Sequence, residues 1–386
     1  MENIISQDLA STEMDPMLSS LSTVYSTEIA DDTSYSQFTT APLHNMSDQP
    51  CHFVVPTQYI SNFIPVVYSI IFILGFIGNS VVIAILCHRV HLKTVANIYI
   101  INLSIASLIF LSTLPIWAVY FATGYSWLFG SVMCKVCSSL VSLNLYASIY
   151  FITCMSIDRY MVILQPFGSQ SKITLCQTRC ITILVWILAL VATFPTIYFQ
   201  GAQYAEKIGN TVCAMIYPPS NANHWSAAIS LMHNTLGFFI PFTVIGSCYG
   251  FVAYHLMKLE VLEKNKYKRD KALWMVAAFV LAFFICWLPF HVLTFMDALS
   301  RMKFITDCRT MTVIKTAMPI TVCLSFANSS INPFIYCFLG DHFHVQLTDI
   351  AQRASSSQYN QRSTLTRISF PSHKSNDTER IDLKNL

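Results

Sequence analysis

The sequence predicts an all-α membrane protein, a bundle of seven transmembrane helices with its N-terminus outside and its C-terminus inside the cell. Of its 386 residues, 54% are hydrophobic and only 11% are charged, whereas soluble domains carry about 25% charged residues. The hydrophobic residues are gathered in long runs, and the basic residues lie predominantly on one side of these runs. A chain of this composition is expected to fold in the hydrocarbon core of a membrane.

Seven runs contain no Asp, Glu, Lys or Arg. They comprise residues 63–86, 94–134, 136–157, 180–205, 208–257, 272–296 and 316–340. A bilayer core ~30 Å thick needs about 20 apolar residues in a helix, and a spanning segment must satisfy its own backbone hydrogen bonds. The second and fifth runs exceed one span, but the polar turn Gly124-Tyr125-Ser126 ends the second helix and the polar stretch 210–225 precedes the fifth. The count therefore stays at seven.

The basic residues determine the predicted orientation. The first 88 residues contain no Lys or Arg but carry eight acidic residues. An N-terminus outside places 17 of the 23 basic residues in the cytosol, as the positive-inside rule requires. The chain is therefore predicted to be a multi-pass membrane protein, and its expected location is the plasma membrane.

The two ends of the chain differ from its middle in composition. Residues 1–57 are polar and predict a disordered extracellular tail, in which Asn45 begins a glycosylation motif. Residues 58–340 form the seven-helix domain. Residues 341–386 form a polar cytosolic tail with 11 Ser or Thr, which is either a simple solvated tail or a region of phosphorylation.

Four of the cysteines fall on the predicted outer side, where disulfides persist. They are Cys51, Cys134, Cys213 and Cys308. Four cysteines allow three pairings, and the spacing does not choose among them.

Charged groups inside membrane helices are costly and are therefore functional candidates. Asp158-Arg159 closes the third helix at its inner end, and Asp297 and Lys315 lie near the outer ends of the sixth and seventh. His233 and His291 lie inside the fifth and sixth helices. Because no carboxylate lies at the middle of a helix and no His-Glu-x-x-His motif occurs, we expect no catalytic, cofactor or metal site. An intramembrane enzyme, or a transporter with internal repeats, is a distant alternative.

Six of the helices carry short motifs in a fixed order. These are Asn79 within Gly75-Phe76-Ile77-Gly78-Asn79, Asp158-Arg159-Tyr160, Trp186, Pro241 with Tyr249, Cys286-Trp287-Leu288-Pro289 and Asn332-Pro333-Phe334-Ile335-Tyr336. One such tripeptide would be weak, but the ordered set is very specific. The chain resembles the rhodopsin-like G-protein-coupled receptors.

Within that family, the chain is similar to the angiotensin II receptors, especially type 2. Residues 143–148, 151–156 and 286–295 carry this resemblance, whereas residues 316–321 look more like type 1. The resemblance covers roughly residues 55–340. It implies an extracellular peptide ligand related to angiotensin II.

The resemblance also implies a set of structural and switch residues. The disulfides would be Cys134–Cys213 and Cys51–Cys308. Trp287, beside Pro289, would sense the ligand and let the sixth helix swing, and Arg159 would be released from Asp158 toward the G protein. The remaining switch residues are Tyr160, Tyr249, Asn332, Pro333 and Tyr336.

The ligand pocket implied by the resemblance is only partly preserved. Its expected lining residues are Trp117, Tyr120, Ser142, Leu145, Gln200, His233, Trp287, His291, Asp297 and Lys315. Gln200 and His233 stand where the family has an Arg and a Lys that hold the ligand's carboxylate, and a neutral Gln gives a weaker bond than an Arg. Asp297 matches a family acid that receives an arginine, but Lys315 reverses the second such charge.

Two further positions depart from the family. Ser107 replaces the Asp that centres a sodium site, so that site is expected to be lost because a hard cation requires an anionic ligand. The segment after Gly340, which begins Asp341-His342-Phe343-His344, is less basic than the eighth helix of the family and predicts only a remnant of it.

The implied partners are the peptide, a heterotrimeric G protein, arrestin, receptor kinases and membrane lipid, with no nucleic acid among them. The altered pocket leaves two closer alternatives: a receptor for a different peptide, or a non-signalling or atypically coupled receptor.

Overall fold

A computed structural model describes residues 57–87, 94–164, 173–206, 209–258 and 266–339 of the chain. The predicted N-terminal tail with Asn45 and Cys51, and the tail 341–386 with its helix remnant, lie outside these residues.

The described residues form nine α-helices and one two-stranded sheet. The helices are α1 Thr57–Ile85, α2 Val95–Leu111, α3 Leu114–Ala122, α4 Gly130–Leu164, α5 Leu175–Phe199, α6 Ala222–Asn234, α7 Ile240–Lys258, α8 Lys266–Arg301 and α9 Cys308–Leu339. The strands are β1 Gln200–Ala205 and β2 Asn210–Met215. A short 3-10 helix, Pro219–Asn221, precedes α6, and a π-helical turn, Thr235–Phe239, joins α6 to α7.

Seven helical segments within the described residues are long and apolar enough to cross a membrane, which confirms the predicted all-α fold. In chain order these spans are Ser61–Ile85, Val95–Ala122, Gly130–Leu164, Leu175–Phe199, Pro219–His255, Leu273–Arg301 and Cys308–Phe338. Several helices extend past the charge-free runs, because helix ends reach the polar boundary of a bilayer, where charged side chains such as Asp158 are tolerated.

The sheet is a feature that the sequence interpretation missed. The run 180–205 is predicted as a membrane span and residues 210–225 as a polar stretch before the fifth helix, but β1 and β2 pair antiparallel at this point of the chain, with Gln200 opposite Met215 and Ala205 opposite Asn210. Gly209 at the turn has a φ of 70°, a conformation that glycine adopts without strain. A short apolar run does not distinguish a strand from a helix end, so charge-free composition concealed this hairpin.

Side chains begin several of the helices by capping free backbone N–H groups. Thr174 Oγ1 accepts a hydrogen bond from the Gln177 N–H at 3.2 Å, and Gln177 Oε1 accepts one from the Thr174 N–H at 2.9 Å. At the start of α9, Asp307 accepts hydrogen bonds from the Thr310 hydroxyl and N–H, which lower the pKa of its carboxyl group. These caps fix where the fourth and seventh spans begin.

The first and seventh spans pack closely at two glycines. A Cβ atom added at Gly75 would lie 2.6 Å from Ser330 Oγ, and one added at Gly78 would lie 2.8 Å from Pro333 Cβ. Asn79 Nδ2 donates a hydrogen bond to the Ser329 carbonyl at 2.9 Å. The glycines therefore allow an approach of the two backbones that larger residues would prevent.

Candidate functional site

The hairpin is attached to one end of the helix bundle by a disulfide. Cys134 of the third span is bonded to Cys213 of β2, as the resemblance implied, and we call this end the disulfide end. Gln200 is 1% exposed and its Nε2 donates to Cys213 Sγ at 3.4 Å. Cys308 is also disulfide-bonded, while its predicted partner Cys51 lies outside the described residues.

Buried aromatic rings line the second span next to this hairpin. The ring centroids of Trp117 and Tyr120 lie 5.3 and 5.5 Å from that of Trp127. The backbone N–H of Trp127 donates a hydrogen bond to the Thr211 carbonyl of β2 at 2.7 Å. Two of the predicted pocket residues thus form one cluster beneath the hairpin. Trp127, which organises that cluster, was not among the predicted site residues.

The third span connects the disulfide to the deeper part of the bundle. Ser142 exchanges a hydrogen bond with Thr196 of the fourth span at 3.1 Å, and Leu145, which is fully buried, lies one turn further along. Eleven residues separate Cys134 from Leu145, which corresponds to about 16 Å along a helix. Gln200 therefore packs well above the level of Leu145.

A pair of histidines lies at that deeper level, between the third, fifth and sixth spans. The ring of His233 stacks on Tyr146 with a centroid distance of 5.7 Å, and His291 interacts electrostatically with His233. A Cβ atom at Gly237 would lie 3.5 Å from both His291 Cε1 and Leu145 Cδ2. The structure therefore brings His233, His291 and Leu145 together.

The Asn234 amide, which the sequence interpretation missed, orients His291. Asn234 Oδ1 lies 3.2 Å from His291 Nδ1, while Asn234 Nδ2 donates to the Ser230 carbonyl at 2.9 Å and to Thr294 Oγ1 at 3.1 Å. The π-helical turn begins immediately after Asn234, and such turns often occur at functional sites. A polar residue beside His233 was the available sequence signal.

The charged residues near the sixth and seventh spans form a group of three. Arg301 Nε donates to Asp297 Oδ2 at 2.8 Å, with both side chains largely buried. Lys315 of the seventh span interacts with both of these charges. Asp297, predicted to receive an arginine from the ligand, is thus already bound by an arginine of this chain.

Trp287 lies next to His291, one helical turn closer to the opposite end of the bundle. Its ring lies 6.1 Å from that of His291 and stacks on Phe283 at 5.8 Å, and Pro289 lies inside the same helix. Trp287 Nε1 is buried without a hydrogen-bond partner among the described residues. A ligand that contacts His291 would therefore lie close to Trp287, the predicted switch residue.

The opposite end of the bundle, which we call the Arg159 end, holds the predicted switch residues. Arg159 donates to Asp158 at 2.7 Å, and Tyr249 lies near Ser156 and the Arg159 guanidinium. Tyr160 packs on Phe251 of the fifth span at 6.1 Å.

The seventh span contributes the remaining switch residues. Tyr336 packs on Phe279 of the sixth span, with a centroid distance of 4.6 Å. Pro333 lies against Gly78, and Asn332 is buried with both amide atoms unpartnered among the described residues.

Ser107 of the second span, which the resemblance places at a sodium site, is a neutral residue, and other neutral polar side chains join the third and seventh spans. Ser107 is fully buried, and its hydroxyl has no partner among the described residues. Ser329 donates to Asn144 Oδ1 at 3.2 Å, and Asn144 donates to Ser148 at 3.4 Å. Within the described part of the chain, no group of three or more His, Cys, Asp or Glu side chains is placed to hold a metal ion.

Comparisons with known proteins agree with this geometry. The sequence profile of the 7 transmembrane receptor (rhodopsin family) matches residues 78–336. The type-2 angiotensin II receptor of Homo sapiens is 48% identical over 287 residues, which are 74% of this chain and 79% of the relative. The type-1 angiotensin II receptor of Gallus gallus is 38% identical over 327 residues, 85% of this chain and 91% of the relative.

The seven spans and these matches settle the class of the protein. It is a multi-pass membrane protein, and receptors of this family typically reside in the plasma membrane and are not enzymes. The chain belongs to the rhodopsin family of seven-transmembrane, G-protein-coupled receptors and is related to the angiotensin II receptors.

Proposed function

We propose that this receptor binds angiotensin II or a related peptide at the disulfide end and activates a heterotrimeric G protein at the Arg159 end. The observation that carries the proposal is the 48% identity to receptors named for angiotensin II over about three quarters of the chain. The distribution of basic residues supports a disulfide end outside the cell, because most Lys and Arg lie beyond the other end.

The mechanism follows from the order of the clusters along the bundle axis, from the disulfide end to the Arg159 end. A peptide held beneath the hairpin would reach His233 and His291, whose contacts lead to Trp287. A ligand shifts a two-state receptor only by its differential affinity for the two states. We propose that contact with Trp287 favours a sixth span tilted at Pro289, and that Arg159 then leaves Asp158 for the G protein.

A nucleotide-exchange assay tests this function. Purified full-length receptor in nanodiscs is mixed with a panel of G proteins, and angiotensin II and its shorter fragments are titrated. Agonist-dependent exchange that is lost in Arg159→Ala supports the proposal. Peptide binding without exchange would indicate a non-signalling or atypically coupled receptor, and exchange driven only by an unrelated peptide would refute the ligand assignment.

The position of Gln200 at the disulfide end provides a second test. Gln200 offers neutral groups, whereas an Arg would offer a charge-assisted bond to a ligand carboxylate. The difference between such bonds is about 1–2 kcal/mol, which corresponds to roughly five- to thirtyfold in affinity. We expect Gln200→Arg to strengthen angiotensin II binding about tenfold in a radioligand assay. Unchanged affinity would place the ligand carboxylate elsewhere.

Arrestin and receptor kinases are the further partners that we propose, through the Ser and Thr residues of the tail 341–386. Phosphate groups there would add negative charge that arrestin can recognise. Agonist-dependent phosphorylation of the tail, measured by mass spectrometry, is the expected outcome.

A further inference from the structure

We propose that the histidine pair binds a neutral hydrogen-bond donor of the ligand, with the chemistry of a primary carboxamide, and rejects a carboxylate. The inference deepens the proposed function, and it rests on that function only for the statement that the carboxamide belongs to a peptide. The site itself is defined by His233, His291, Asn234 and Trp287.

The hydrogen bonds of Asn234 fix the proton on His291. Asn234 Nδ2 donates to the Ser230 carbonyl at 2.9 Å, and a carbonyl only accepts, so the amide cannot be turned around. Its oxygen therefore faces His291 Nδ1 at 3.2 Å, and this nitrogen must carry a proton. In a neutral imidazole the other nitrogen, Nε2, is then an acceptor.

His233 has the same tautomer for a similar reason. Its Nδ1 lies 3.0 Å from the Ile229 carbonyl of its own helix, so Nδ1 is the donor and Nε2 carries the lone pair. His291 Nε2 is buried without a hydrogen-bond partner among the described residues. A buried acceptor without a partner carries a desolvation cost, which a donor from a ligand would remove.

The surroundings favour neutral imidazoles over a cationic pair. The two imidazoles are close enough for their charges to interact, so a second positive charge would be repelled by the first. Of the acidic residues on the third, fifth and sixth spans, Asp158 lies at the Arg159 end, and Asp297 lies six residues, about 9 Å along the helix, from His291 and is bound to Arg301. A lone buried charge in the membrane is costly.

A second unpartnered polar group, the Trp287 indole N–H, explains why a carboxamide fits better than a simple hydroxyl. Trp287 Nε1 is a buried donor without a partner among the described residues, and its ring is 6.1 Å from that of His291. A carboxamide has N–H donors for the histidine lone pair and a carbonyl acceptor for the indole. A carboxylate would place its negative charge against imidazole lone pairs, with no cation to balance it.

Two isosteric fragments, benzamide and benzoate, test the preference without a peptide. The aromatic walls, Tyr146 and Phe238 among them, would accept the phenyl ring of either fragment. Thermal unfolding of the full-length receptor in nanodiscs is measured with each. We expect saturating benzamide to raise Tm by about 2–4 °C and benzoate to leave it unchanged.

Matched variants locate the effect at the histidine pair. His291→Asn keeps an amide N–H for Asn234 but removes Nε2, so the benzamide shift should disappear. His291→Gln places an acceptor near Nε2 and should retain part of the shift. His233→Lys supplies a cation and should reverse the preference toward benzoate, whereas His224→Lys, on the exposed start of the same span, should not.

The outcomes separate this inference from the proposed function. A benzoate shift equal to or larger than the benzamide shift, no shift with either fragment, or a benzamide shift that survives in His291→Asn would overturn it. Because the fragments need no peptide, a receptor that ignores angiotensin II in the exchange assay could still show the carboxamide preference, and the reverse also holds.

Discussion

Arg301 Nε lies 2.8 Å from Asp297 Oδ2, one helical turn apart on the sixth span. The pair neutralises Asp297, the acid that the resemblance predicts to receive an arginine of the peptide. With Lys315 nearby, the described side chains of this group sum to one positive charge. A basic residue of the ligand would therefore be repelled by this group, although Asp297 alone would attract it.

Removing the competing arginine should improve binding of angiotensin II. In Arg301→Gln the Asp297 carboxylate becomes available to a ligand cation, and a charge-assisted bond contributes about 1.5–3 kcal/mol. Since some of this gain replaces the lost internal pair, we expect a five- to tenfold increase in affinity, measured by radioligand competition. Lys303→Gln, which removes an exposed positive charge from the same region, serves as the control. Equal gains in both variants would mean that overall charge alone is responsible.

The seven spans could be predicted from the sequence because length and the absence of charge suffice to identify a membrane helix. The clusters within them depend on contacts between spans. The tautomer of His291 is fixed by Asn234, which is itself held by Thr294 from another helix, and no local pattern contains that information. The Arg301 pairing is different, because Asp297 and Arg301 are four residues apart and their spacing did carry a usable signal.

The missing carboxylate at Ser107 should make agonist binding insensitive to sodium. Ser107 is neutral and fully buried, and a hard cation needs an anionic oxygen ligand. Agonist affinity measured in NaCl and in KCl at equal ionic strength is expected to agree. Ser107→Asp should introduce a selective loss of agonist affinity in NaCl. A sodium-specific loss in the unaltered receptor would contradict this prediction.

Breaking the pair at the Arg159 end should raise basal signalling. Arg159 donates to the largely buried Asp158 carboxylate at 2.7 Å. This ion pair stabilises the inactive arrangement, in which Arg159 is not available to the G protein. Asp158→Asn removes the carboxylate charge, so an ion pair becomes a hydrogen bond from the charged guanidinium to a neutral amide, a weakening of about 1 kcal/mol or more. We expect nucleotide exchange without agonist to rise about fivefold to tenfold. The double variant Asp158→Asn with Arg159→Ala should return to background, and exchange that persists there would exclude Arg159 as the coupling residue.

The close approach of the first and seventh spans should make Gly78 intolerant of even one methyl group. A Cβ atom at Gly78 would lie 2.8 Å from Pro333 Cβ and 2.9 Å from Pro333 Cγ, and the rigid proline ring cannot move aside as a flexible side chain could. Overpacking of this kind costs about 1–3 kcal/mol. Gly78→Ala should therefore lower Tm by several degrees in nanodiscs.

Gly246→Ala is the matched control for that substitution, because a Cβ atom there would meet no atom within 4 Å. Alanine favours a helix over glycine by about 1 kcal/mol, so Gly246→Ala should leave Tm unchanged or raise it. Pro333 belongs to the predicted switch, so the displaced seventh span of Gly78→Ala should also alter agonist-driven exchange. If the two variants unfold at the same temperature, the first and seventh spans are not in the contact that the structure shows.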